Sequence, residues 1–142
     1  MRGGFDRSKT LQEIERRDWG EPTYDSYLVT TCHRLRRKPL DKFTAEDLRI
    51  MIGQKISLPI LMPLAVEWLE REPLAAGRFY GGDLLAAVTA VGDDFWAIHP
   101  DSLQRVRRVL GRVQDLLPSL DEVDQGTINQ VLEEAPRMLK AE

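Results

Sequence analysis

Apolar residues recur at three- and four-residue spacing along nearly the whole chain, which is the period of amphipathic helices. No segment sustains the two-residue alternation of a half-buried strand. Thr10-Leu11-Gln12-Glu13 predicts a capping box, in which the hydroxyl takes the amide three residues on and the carboxylate reaches back. A short helix with Leu11 and Ile14 inward follows, and Gly20 and Pro22 end it. A second helix is expected from Thr23, with Tyr24, Tyr27, Leu28, Thr31 and Leu35 along one buried face and Pro39 as its stop. Thr44 and Asp47 form the second capping box, with Phe43 and Leu48 placed as a hydrophobic staple.

Further on, a helix is expected from Ile60 to Glu72, with Pro63 in its first turn or at a kink and Pro73 closing it. Residues 74–82 read as a glycine-rich loop, after which Asp83 is expected to cap a helix ending at Gly92. Residues 93–98 add a short turn of helix. Asp101 opens a longer helix that Pro118 ends, and Thr127 opens the last, which Pro136 disturbs. The pattern predicts an all-α fold of about seven short helices in a single compact domain spanning residues 1–142.

Composition adds an ordinary globular balance, 42% hydrophobic and 30% charged residues over 142 positions. The amino terminus lacks the apolar core of a signal peptide, and no apolar run reaches the roughly 20 residues a membrane helix needs. A lone cysteine, Cys32, makes no internal disulfide, so a cytoplasmic location is expected. Charge is uneven. Residues 1–42 hold ten Lys/Arg against seven Asp/Glu, and residues 43–142 hold ten against sixteen. The acidic carboxyl-terminal part favours a basic partner and disfavours nucleic acid.

Catalytic chemistry finds little support. Cys32 and His33 are adjacent and point about 100° apart on a helix, so they make no natural chelating or thiol–imidazole pair. Neither a CxxC, an HxxxH nor an EF-hand spacing occurs, and Gly81-Gly82-Asp83 lacks the lysine of a phosphate loop. No metal or cofactor is expected. His33 to Lys38 is the main basic cluster and reads as the charged, solvated end of its helix. Arg105, Arg107, Arg108 and Arg112 read as a second solvated helix face. Trp19, Trp68 and Trp96 all read as core or core-edge residues, and Trp19, in a turn beside Gly20, is the best of them as an aromatic anchor for a partner. Candidate partner-binding residues are therefore Trp19 and the acidic groups Glu21 and Asp25, Asp93 and Asp94, and Asp121, Glu122 and Asp124.

One succession of short words carries a resemblance. It runs Trp19-Gly20-Glu21-Pro22, Ser26-Tyr27-Leu28-Val29, His33-Arg34-Leu35-Arg36, Pro39-Leu40, Glu46-Asp47-Leu48-Arg49, Ile52-Gly53-Gln54, Leu58-Pro59, Pro63-Leu64-Ala65, Pro73-Leu74 and Tyr80-Gly81-Gly82-Asp83-Leu84-Leu85. In order and spacing it resembles the immunity proteins of contact-dependent growth inhibition (CDI) systems over roughly residues 10–100. That family typically has proline where Gly81 stands. Residues 101–142 read as an acidic helical extension with little of the pattern. The resemblance implies a cytoplasmic inhibitor, not an enzyme, that binds and blocks a cognate toxin domain, often by covering a nuclease active site. It would use a preformed helical surface with acidic groups around an aromatic anchor. A helical adaptor with another protein partner is the alternative, and neither nucleic acid nor membrane is expected as a partner.

Overall fold

The computed structural model describes residues 5–23 and 26–140 and is all-α. Nine α-helices occur among the described residues, against the seven or so expected from the apolar period. They are α1 (Leu11–Glu15), α2 (Tyr27–Leu35), α3 (Ala45–Gly53), α4 (Leu58–Arg71), α5 (Asp83–Thr89), α6 (Asp93–Ile98), α7 (Pro100–Leu116), α8 (Glu122–Glu134) and α9 (Arg137–Lys140). The extra elements are α6 and α9. Pro136 separates α9 from α8, and residues 93–98 form a distinct helix before Pro100.

Both predicted capping boxes are present, Thr10 with Glu13 and Thr44 with Asp47. Each satisfies amides that a helix start leaves without an intrahelical partner. Pro59 lies in the first turn of α4 and Pro63 inside it. The carbonyl that Pro63 leaves without its usual amide partner belongs to Pro59, an exposed residue where water can take it. The last helix of the expected set starts at Glu122, capped by the Asp121 carboxylate, and not at Thr127.

Helices α3, α4 and α5 pack on one another at the centre. Leu48, Met51, Ile52, Leu61, Met62, Leu69, Leu84 and Leu85 are fully buried there. Helix α7 lies across α4, α8 packs on α5, and α9 packs on α6 and α7. Trp96 is fully buried, and its indole N–H donates to the Val91 carbonyl at 2.8 Å, so the one polar atom of the ring is satisfied.

Helix α2 differs most from expectation. It starts at Tyr27 with Ser26 as its cap. Thr31 and Leu35 are buried on α3, but Tyr27 and Leu28 are exposed. The apolar stripe therefore extends one turn beyond the surface that α3 covers. Tyr24 lies outside the described residues.

Candidate protein-binding surface

The loop between α4 and α5 is held by carboxylates from two helices. Asp83, in the first turn of α5, is only 4% exposed. Its Oδ1 accepts from the Gly77 amide at 2.6 Å and its Oδ2 from the Phe79 amide at 2.9 Å. Glu46, on α3, accepts the Arg78 amide at 2.8 Å and both Nε and Nη2 of Arg49 at 2.7 Å. Arg49 in turn lies 3.9 Å from Asp83 Oδ2. The Arg49 hydrogen bonds hold the Glu46 carboxyl below its ordinary range and raise the guanidinium above its own. The result is an Arg49-centred network that fixes three successive loop amides.

Asp83 thus does something other than the helix capping expected of it. Gly82, at φ +102°, takes the position before the helix, and Asp83 points back into the loop. A Cβ at Gly77 would stand 2.6 Å from Glu46 Oε1 and 3.2 Å from both Asp83 oxygens, so a side chain there would displace the carboxylates that hold the loop.

With its backbone fixed, the loop presents aromatic rings to solvent. Phe79 is 66% exposed and Tyr27, on the facing start of α2, is 64% exposed. The Arg49 guanidinium carbon sits 4.6 Å from the centre of the Phe79 ring, and that of Arg78 sits 5.9 Å from the centre of Tyr27. Tyr27, Leu28, Ile50, Gln54 and Phe79 line a cleft of about 330 Å³ between α2, α3 and the loop. Tyrosine, phenylalanine and arginine are enriched at protein interfaces, because rigid rings and planar guanidinia bury much area for little lost freedom.

Sequence reasoning placed Tyr27 and Leu28 in the core and passed over Phe79. The available signal was the pair Phe79-Tyr80 inside a glycine-rich loop, where no helical period could bury it.

The residues expected to contact a partner fall on three separate parts of the fold. Trp19 stands edge-on to His33 at 5.1 Å, with the Arg36 guanidinium 4.5 Å from its ring centre. Glu21 lies 3.4 Å from Arg37. Asp25 lies outside the described residues. Asp93 accepts the Met138 amide at 3.0 Å and so holds α9 against α6, while its neighbour Asp94 is exposed. Asp121 caps α8 by accepting the Asp124 amide at 2.8 Å. Glu122 and Asp124 are exposed in that first turn, at the positive end of the helix.

The basic cluster is a solvated helix end only in part: Arg34 and Arg37 are exposed. Arg36 is 2% exposed and pairs with Glu15 and the Arg17 carbonyl. Arg37 meets Asp18 and Glu21, and Lys38 pairs with Asp47 at 2.5 Å. The arginines of α7 likewise act as braces. Arg105 grips Glu70 through two bonds of 2.9 and 2.6 Å. Arg107 donates twice to the Met138 carbonyl, and Arg112 reaches the Glu70 carbonyl. Arg108 and Arg112 are both exposed, Arg112 while holding the Glu70 carbonyl.

Cys32 is buried, and desolvation pushes its thiol above the usual value. His33 Nδ1 lies 3.1 Å from the Gly20 carbonyl and His99 Nδ1 lies 2.9 Å from that of Phe95. Among the described residues, no group of three or more His, Cys, Asp or Glu is arranged to hold a metal ion.

Compared with known protein families, residues 13–106 match the family described as CDI immunity proteins. The match runs from α1 into α7 and contains the whole aromatic loop, leaving α8 and α9 outside it. No curated protein matches the chain significantly.

Proposed function

The chain belongs to the family of CDI immunity proteins, and from that membership we propose that it binds and neutralises the toxin domain of a contact-dependent growth inhibition system. The observation that carries this reading is the match over residues 13–106, well over half of the chain and inclusive of the braced aromatic loop. The protein acts by occupying a surface of the toxin, not by chemistry of its own. It works in the cytoplasm, where a delivered toxin meets its target. No helix among the described residues is long and apolar enough to cross a membrane. A surface already held in shape favours tight binding, because little conformational freedom is lost on association.

Titration calorimetry against the catalytically inactivated toxin domain encoded beside this gene tests the reading. One-to-one binding with a Kd of about 100 nM or tighter is expected. Cells expressing the chain should also survive that toxin in its active form. Absence of both binding and protection overturns the immunity role and moves a helical adaptor with a different protein partner to first place.

A further inference from the structure

We infer that the toxin-contacting face is the aromatic–arginine surface around Tyr27, Leu28, Arg49, Arg78 and Phe79, and that its partner offers an apolar side chain ringed by carboxylates. The inference rests on the immunity reading and adds the face and the chemistry it recognises. Two exposed rings flank a cleft of about 330 Å³ whose floor includes Ile50. That space takes one large apolar side chain. A whole aromatic side chain buries about 150–250 Å², and these two are each about two-thirds exposed, so with Leu28 they supply an apolar centre within a typical face of about 800 Å².

The charges specify the rim. Arg49 Nη1 has no hydrogen-bond partner among the described residues, while its other nitrogens are held by Glu46. Arg78 is exposed above Tyr27. Both guanidinia are already positioned by their contacts with rings, and a planar guanidinium suits a carboxylate. A nucleic acid would meet the same rings, but Glu46 lies within the patch and residues 43–142 carry sixteen acidic groups against ten basic ones. That acidity opposes an extended polyphosphate, whereas Arg49 and Arg78 are local donors that one or two carboxylates can meet.

The test measures three forms of the full chain against the inactivated neighbouring toxin domain by calorimetry. Each form is checked by its thermal unfolding midpoint. The double variant Tyr27→Ala, Phe79→Ala is expected to bind at least 100-fold more weakly, and Arg78→Glu about tenfold more weakly. Both alter exposed side chains, so the midpoints should stay within a few degrees of wild type. The triple variant Asp94→Lys, Glu122→Lys, Asp124→Lys is expected to bind within threefold of wild type. Patch variants that bind as wild type while the triple variant fails would overturn the assignment and place the contact on the acidic groups. Patch variants that lose toxin binding only because they melt are resolved by Arg78→Glu, whose wild-type affinity would also overturn it. A labelled 20-nucleotide RNA is run in parallel at 150 mM salt. RNA binding that the double variant abolishes, with toxin binding intact, would assign the face to nucleic acid instead. Failure of the wild-type chain to bind any toxin domain would sink the immunity reading itself, an outcome distinct from these.

Discussion

Asp83 shows how one buried carboxylate can determine a surface several residues away. Its two oxygens take the Gly77 and Phe79 amides, and among the described residues no other side chain serves both. Replacing it with alanine leaves two loop amides and Arg49 without that partner. Asp83→Ala should therefore lower stability by about 2 kcal/mol in urea titration. It should weaken toxin binding by more than this loss explains, because Phe79 is no longer held beside Arg49. Equal toxin affinity in the folded variant would show that the loop shape is irrelevant to binding. The chain Gly81-Gly82-Asp83 announces a helix start, and one exists there. The carboxylate's real partners lie four and six residues back in a loop, outside any local capping rule, so its role was not legible. Cys32 was easier to read, because a small apolar-like residue beside a helical stripe is expected to be buried. Its burial, which also raises the thiol pKa, predicts that Ellman's reagent reacts far more slowly with native protein than with urea-unfolded protein. Rapid labelling of the native state would reopen a thiol-based activity.

Among the elements, α4 and α7 are joined by charge as well as by packing. Glu70 is held by Arg105, and Glu67 by Arg7, and each bond keeps the carboxyl below the ordinary 4.5. A carboxylate whose pKa is lower folded than unfolded stabilises the fold above the unfolded value. That contribution disappears as pH falls through the folded value. Stability should therefore decline as pH drops below about 4.5 and continue to fall beneath it. Both pairs are partly exposed, so screening reduces their worth. Glu70→Gln should cost about 0.5–1 kcal/mol at pH 7 and shrink the difference between urea midpoints at pH 7 and pH 3.5. An unchanged difference would mean that the Arg105 bond adds nothing to folding. The helix starts at Thr10 and Thr44 were legible because a capping box is complete within four residues. The exposed face of α2 was not, because the apolar period of Tyr27, Leu28, Thr31 and Leu35 says which residues align and not how far α3 reaches along them. The braces of α7 were hidden for a similar reason: a row of arginines looks alike whether it faces water or the backbone of α9.

For the whole molecule, the decisive joint lies where α8 meets α5. Gly82 stands with φ +102° directly under Ile128, and a Cβ at Gly82 would come within 2.6 Å of the Ile128 methyl. Ile128 is 1% exposed, although it belongs to a helix outside the family match. Arg107 and Asp93 fix the two sides of the Met138 peptide, one through its carbonyl and the other through its amide. Residues 121–140 therefore complete the core that the first part of the chain leaves open, and we propose that residues 1–142 unfold as one unit. A chain ending at Leu120 loses the buried side chains of Ile128, Ala135 and Leu139. Burial of one Ile or Leu is worth about 2 kcal/mol, so the truncation removes on the order of 4–6 kcal/mol from a total of about 5–15. Calorimetry should give a single transition for the full chain. The truncated chain should melt about 10–20 °C lower or show no cooperative transition at all. Because Gly82 adjoins Asp83, the same truncation should loosen the aromatic loop and reduce toxin affinity at temperatures where it remains folded. A truncated chain with an unaltered melting point and unaltered affinity would make α8 and α9 an appendage and confine both stability and recognition to the segment that matches the family.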